Sequence, residues 1–317
     1  MTTAPAESKQ SAVQLTASDL HYRFGRREVL RGLDFELYAG RVTAFLGRNG
    51  AGKTTTLNLL AGVLRPDTGK VCTATGLAPW SDRQTRARIG YLPDTPPLYP
   101  ECTVAEQLAF AAALRGMDRA DVPAAVDQVV KSCDLGTVTR RLTDNLSGGF
   151  RQRVALAQAI IHQPDILLLD EPGSGLDPVQ MDALHRLIEN LAEHVCVVFS
   201  THLLSEALSI GDDILVIRDG QQRFFGPCTQ LPGAASVDFE LRLDKVVAKS
   251  QLEQLDGIKT VESRGENDWL LRLNDHDAAS GVSAAIVARG WGLREMAHHN
   301  SREQQLLAMM TGGEDQS

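Results

Sequence analysis

The chain has 317 residues, 43% of them hydrophobic and 23% charged, and carries a formal net charge of −8. That is length enough for one large domain and a smaller one, each with its own core, and the apolar content is that of an ordinary globular protein. Its acidity speaks against broad nucleic-acid binding, which needs a cationic face, and no apolar run approaches the roughly 20 residues needed to cross a bilayer.

In chain order, residues 1–12 are polar and lack the apolar core of a signal peptide; they are expected to be a disordered tail on a cytosolic protein. Val13 to Tyr38 reads as short strands with turns. Val42 to Leu46 is a largely apolar run of the kind that forms a buried central strand, and it ends in a glycine-rich turn followed by a helix over Lys53 to Ala61. Lys70 to Thr75 and Ile89 to Leu92 are further strands. From about Pro96 to Gln163 the texture turns helical. Thr103 and Glu106 form a capping box for a helix that Gly116 closes, a second helix covers Val122 to Cys133, and a third follows Gly149.

Strand–helix alternation resumes with Ile166 to Asp170. A helix begins at Pro178 with Asp177 as N-cap, and Met181, Leu184, Leu187, Ile188 and Leu191 share one face. Val195 to Ser200 is the next strand, and Ile214 to Phe225 forms a hairpin turning at Asp219-Gly220. Pro232 and Gly233 mark a linker. Beyond it Val237, Phe239, Leu241 and Leu243 alternate as a strand, with a helix to about Leu255. Strands near Lys259 to Ser263 and Trp269 to Leu273, a helix over Ala278 to Arg289 and a strand from Trp291 complete a β-α-β-β-α-β order, that of a small ferredoxin-like module. A last helix, capped by Ser301 and Gln304, precedes a polar tail at 313–317. The domains expected are therefore 13–228, with a helical subdomain over 96–163, and 229–312, which carries no catalytic constellation.

Cys72, Cys102, Cys133, Cys196 and Cys228 lack C-x-x-C spacing and read as unpaired thiols in a reducing compartment. His298-His299 reads as a solvated pair.

Chemistry is concentrated in a few segments. Gly47-Arg48-Asn49-Gly50-Ala51-Gly52-Lys53-Thr54, continued by Thr55, is a complete G-x-x-x-x-G-K-T between a buried strand and a helix. Glycines at this spacing let backbone N–H groups wrap phosphate oxygens, Lys53 supplies a point charge, and Thr54 can bind Mg²⁺. Ile166-Leu167-Leu168-Leu169-Asp170-Glu171 sets two carboxylates at the end of a central strand, where ligand sites of open sheets lie; Asp170 suits Mg²⁺ and Glu171 suits an attacking water. Leu146-Ser147-Gly148-Gly149-Phe150-Arg151-Gln152 is a helix start capped by Ser147, and such an end is a second anion site. By itself it is also a plain helix N-terminus.

Taken together, these segments closely resemble the ATP-binding cassette (ABC) superfamily. L-S-G-G-F-R-Q-R is similar to its signature motif, I-L-L-L-D-E-P to its second nucleotide motif, Ser174-Gly175-Leu176-Asp177 to its D-loop, and His202 in F-S-T-H to its switch histidine. The resemblance covers roughly residues 13 to 228. It implies an α/β P-loop NTPase fold with a RecA-like core, an antiparallel β subdomain and a helical subdomain, followed here by the small α+β domain.

The resemblance further implies a head-to-tail dimer hydrolysing ATP with Mg²⁺, either a homodimer or a pairing with a related ATPase. Ser147, Gly148 and Gly149 of one copy would meet the γ-phosphate held by Lys53 of the other. Glu171 would be the catalytic base, His202 would contact the γ-phosphate, and Asp177 would couple the two copies. Phe24, with Tyr22 as runner-up, would stack on adenine. The segment from Ile89 to Leu108 resembles a prokaryotic branch whose ATPases sit on the cytoplasmic face of the cell membrane, bound to a separate multi-helix permease and often engaged in export.

Three positions depart from the pattern. Asp94 stands where the family usually has Gln, which puts the usual Mg²⁺ contact in question. Phe150 replaces the common Gln of the signature, and Arg48 in the first loop is expected to face solvent. Two other function classes imply different features. A non-transport ABC ATPase of translation or DNA maintenance would carry tandem cassettes or a long coiled coil. A P-loop kinase or GTPase would lack the S-G-G helix start and the switch histidine. This chain has neither tandem cassettes nor a coiled coil, and it carries both the S-G-G start and the histidine.

Overall fold

The computed structural model describes residues 12–231, 238–274, 278–298 and 301–312. Residues 1–11 and 313–317 of the expected tails, the Pro232-Gly233 linker, Val237 and His299 fall outside the described residues, as do the side chains expected to cap the last helix, whereas Ala12 accepts from Ala39 N at 3.0 Å. The chain divides into two units, 1–228 with 309–317, and 229–308.

In the first unit, β1 (Val13–Phe24), β2 (Arg27–Tyr38), β3 (Val42–Leu46), α1 (Lys53–Leu60), β4 (Thr68–Thr73), α2 (Arg83–Ala87) and β5 (Ile89–Leu92) come first. The helical α3 (Val104–Arg115), α4 (Val122–Ser132) and α5 (Gly148–Ile160) follow. Then come β6 (Ile166–Leu169), α6 (Pro178–Ala192), β7 (Cys196–Thr201), α7 (Leu204–Ile210), β8 (Asp213–Arg218) and β9 (Gln221–Pro227).

Six strands form one sheet in the order β5-β6-β7-β3-β8-β9. All are parallel except β9, which returns antiparallel to β8. β3, β6 and β7 are buried along their whole length, as strands covered on both faces must be. Four adjacent strands, β5, β6, β7 and β3, therefore deliver the residues after their C-terminal ends to one edge. That edge is where open α/β sheets place their ligands.

Three further strands form an antiparallel sheet, β2-β1-β4. Here the sequence expectation needs correcting: 13–38 is not a set of short strands but two strands of 12 residues each. Their pairing shifts register between Ala17 and Leu20 and again further on. Breaks in alternation that read as strand ends are bulges, where an extra residue flips the side-chain pattern without ending the strand. This sheet packs on the larger one, Phe35 meeting Phe45 edge-on at 5.3 Å.

α3 begins with the expected capping box, Glu106 N bonding to Thr103 Oγ1 and Thr103 N to Glu106 Oε2, and Gly116 closes it in the left-handed conformation. On α6, Leu184 and Ile188 are buried while Met181, Leu187 and Leu191 are only half-buried. The hairpin turn at Asp219 (φ 53) and Gly220 (φ 76) has both central residues left-handed, which matches the twist of the flanking strands. Gly220 N bonds to Ala51 O at 3.0 Å and Gly220 O accepts from Arg31 N at 2.9 Å. A Cβ there would lie 2.1 Å from Val29 O, so only glycine fits.

The second unit contains β10 (Asp238–Leu243), α8 (Lys249–Glu253), β11 (Ile258–Ser263), β12 (Asp268–Leu273), α9 (Ala278–Ala288) and β13 (Leu293–His298); the last helix, α10, spans Ser301–Thr311. The sheet order β11-β12-β10-β13, antiparallel throughout, is the split β-α-β arrangement of ferredoxin-like modules. Its core gathers Leu241, Leu243, Leu252, Val261, Leu271, Val282 and Ile286. α8 stops at Glu253, short of the expected Leu255, because residues 254–257 turn back through Gly257 at φ 91.

Candidate functional site

The glycine-rich turn after β3 runs into α1, whose N-cap Gly52 has φ 115. No other residue adopts that angle without strain. Gly47 is needed for a different reason: a Cβ there would lie 2.4 Å from Ile217 O of β8. Lys53 is 5% exposed, and its Nζ donates to Gly47 O at 2.8 Å. Arg48 is exposed, as expected.

Lys53 also stands 3.1 Å from Glu171 Oε1. The other oxygen of Glu171, Oε2, lies 2.9 Å from His202 Nδ1. Glu171 thus sits between the ammonium of the phosphate loop and the imidazole that follows β7. Its backbone is left-handed, φ 46, a strain of about 1 kcal/mol for a non-glycine residue. That strain is held by a side chain the sequence reading did not single out. Ser200 Oγ accepts from Glu171 N at 2.9 Å and donates to Asp170 Oδ1 at 2.6 Å.

Asp170 is 1% exposed. Burial pushes its carboxyl above the usual range, hydrogen bonds from Ser200 and Thr54 pull it down, and the nearby charges of Asp94 and Glu171 push it up again. Its Oδ2 has no hydrogen-bond partner among the described residues. A buried carboxylate oxygen left bare beside a threonine hydroxyl fits a hard divalent cation, which takes oxygen ligands. Thr54 and Asp170 would hold Mg²⁺, and Asp94 approaches the same place from the end of β5.

Lys53, Thr54, Asp94, Glu171 and His202 line one cleft of about 520 Å³, which also includes Phe24, Asn49, Gly50, Gly52, Thr55 and Ser174, while Asp170 and Ser200 lie buried behind it. Arg27, unremarked in the sequence, lines it as well. Phe24 is 55% exposed there. Tyr22 instead packs against the core beneath, its ring 4.9 Å edge-on from that of Phe24. Gly47 and Ala51, expected among the nucleotide contacts, are buried behind the cleft, their carbonyls accepting from Lys53 Nζ and Gly220 N.

The S-G-G helix start does not join this cleft. Ser147 caps α5 by accepting from Phe150 N. Ser147 and Gly149 line a separate hollow of about 210 Å³ with Asp134, Phe150, Arg153 and Gln180. The Gln180 side chain lies directly over Gly149, where a Cβ would meet its Oε1 at 2.4 Å. A Cβ added at Gly148 would meet nothing within 4 Å. Asp177 caps α6 by accepting from Gln180 N at 2.9 Å, as the sequence predicts.

Elsewhere, burial pushes the thiols of Cys133 and Cys196 up to about 12, so neither is a nucleophile near neutral pH. Among the described residues no cluster of three or more His, Cys, Asp or Glu could hold a metal ion by itself, and no helix is long and apolar enough to cross a membrane.

A model of the ABC transporter family matches residues 30–174. The chain is 34% identical over 213 residues to a Nod factor export ATP-binding protein I of Burkholderia orbicola, covering 67% of this chain and 70% of the relative. It is 35% identical over 209 residues to a sulfate/thiosulfate import ATP-binding protein of Thermosynechococcus vestitus, covering 65% and 62%. Among solved structures, an ATP-binding subunit of an ABC transporter superimposes with a TM-score of 0.62 at 27% identity, over 69% of this chain and 91% of that one.

Proposed function

The chain belongs to the ABC transporter family as an ATP-binding, ATP-hydrolysing subunit, and on that premise we propose that two copies close head to tail on two ATP molecules and drive a separate multi-helix permease. One observation carries the reading. The loop, carboxylate and histidine converge in a single cleft, whereas the S-G-G helix start opens on a hollow of its own. A triphosphate held by Lys53 reaches that helix end only if a second chain supplies it. In this arrangement Ser147 and Gly149 of the partner present a hydroxyl and backbone N–H groups to the γ-phosphate, and the charge shared between two copies holds them together.

Within each site, Lys53 and the N–H groups of residues 49–55 bind the β- and γ-phosphates. Phe24 provides a flat exposed face for the adenine. Glu171 takes a proton from the attacking water, its backbone clamped by Ser200 and its carboxylate held between Lys53 and His202. His202 rests Nδ1 against Glu171 Oε2 and offers an N–H at Nε2, which the γ-phosphate accepts. Thr54 and Asp170 would hold Mg²⁺, which would supply positive charge to the phosphate oxygens. Asp177 couples the two copies through the start of α6.

The permease receives the motion through the helical segment beyond Asp94. With no membrane-crossing helix among the described residues, membrane attachment on the cytoplasmic face falls to that partner. Export is the direction we favour, supported by the Nod factor relative; the import relative makes transport in inverted vesicles, inward for export, the deciding measurement.

For the dimer, sedimentation of the full chain with Mg²⁺ and a non-hydrolysable ATP analogue is expected to double the mass, and Ser147→Arg to leave it monomeric. A wild-type chain that stays monomeric even beside its permease would sink the reading. Asp94 is tested separately. Asp94→Asn should raise the Mg²⁺ concentration at half-maximal turnover about fivefold, the worth of one partly screened charge. An unchanged Mg²⁺ titration removes Asp94 from the metal's surroundings.

A further inference from the structure

The turn that carries His202 is fixed from beneath by a buried carboxyl group to which none of the phosphate or metal contacts assigns a task. Glu206, in the first turn of α7, is 5% exposed. Thr201 Oγ1 donates to its Oε2, and the same Thr201 hydroxyl accepts from Leu203 N at 3.0 Å. The two residues flanking His202 are thereby tied to one oxygen of Glu206.

The far side of the carboxyl group is closed by other elements. His185 of α6 brings Nε2 to 3.6 Å from Oε1. Gly173, just past Glu171, approaches so closely that a Cβ there would lie 2.9 Å from the same oxygen. Oε1 and His185 Nε2 have no hydrogen-bond partner among the described residues. Burying a carboxyl group with a single strong hydrogen bond is costly, and apolar side chains of similar volume often fold as well or better. The cost points to a geometric task.

We propose that Glu206 is a positioning residue for His202, acting through the Thr201 hydroxyl to hold the imidazole against Glu171. It touches neither nucleotide nor water. Its packing against Gly173 also sets the segment that follows Glu171 against the support of the histidine turn. The inference rests on the role given above to His202, and the experiment separates the two.

ATP turnover of the full-length protein is measured as kcat and KM for Glu206→Met, Glu206→Gln and Thr201→Val, each alone and combined with His202→Ala. Glu206→Met and Thr201→Val should each lower kcat about tenfold, with KM within about twofold, as loss of an outer contact to a reacting group does. Glu206→Gln keeps a carbonyl that accepts from Thr201 and should recover most of the rate. In the His202→Ala background neither change should lower kcat further, since residues acting through one another are non-additive.

Wild-type kcat in both Glu206→Met and Thr201→Val overturns the proposal, as does a Gln variant as slow as Met or a defect that multiplies with that of His202→Ala. A fully active His202→Ala overturns the role of His202 itself and the proposal with it. Should Glu206→Met fail to fold, Thr201→Val carries the same comparison.

Discussion

Glu171→Gln is expected to cut ATP turnover by about 10³-fold while leaving nucleotide binding in place. The amide has the size and shape of the carboxylate but cannot take a proton from water, and removing a general base costs on the order of 10² to 10⁴ in rate. Binding survives on the proposed reading, which gives the phosphate contacts to Lys53 and the loop backbone. In the resting site Lys53 also spends part of its charge on Glu171, at 3.1 Å, and the Gln variant frees it. The dimer formed on Mg–ATP should therefore persist, measured by sedimentation alongside single-turnover hydrolysis. A Gln variant that turns over at the wild-type rate would remove Glu171 as the base.

Lys53→Ala fails at the other step. A charge-assisted contact to phosphate is worth roughly 1.5 to 3 kcal/mol, so affinity for ATP should fall about 10²-fold. Lys53 is buried and anchored on Gly47 O at 2.8 Å, so the loop also loses an internal tie. Lys53→Arg should not restore binding, because a planar fork does not fit a space shaped around a point charge. Equilibrium titration with a fluorescent ATP analogue measures both. Undiminished affinity in the Ala variant would place the triphosphate elsewhere.

Much of this site is legible in the sequence because each part is a local pattern attached to the end of a strand. The glycine spacing before Lys53, the apolar run before Asp170 and the position of His202 after β7 can be read without tertiary contacts. α3 is predicted to the residue, since its capping box and closing glycine are local signals.

The rest depends on strand order. Ser200 clamps Asp170 and Glu171 only because β7 lies beside β6, and Glu206 meets His185 across α6 and α7. Gln180 covers Gly149 from a helix 30 residues downstream. No periodicity reports such neighbours. Two elements escaped notice for plainer reasons. α2 has 5 residues and α7 has 7, too few to show a helical repeat, and bulges hid the true length of β1 and β2.

The glycine turn between β8 and β9 has a mechanical consequence. Gly220 joins the phosphate loop at Ala51 to β2 at Arg31, so the floor beneath the triphosphate and the wall carrying Phe24 are riveted into one body. On the function proposed above, base and phosphate then sit on one support, and the motion that follows loss of the γ-phosphate is assigned to the far side of the cleft, where Asp94 leads into the helical segment.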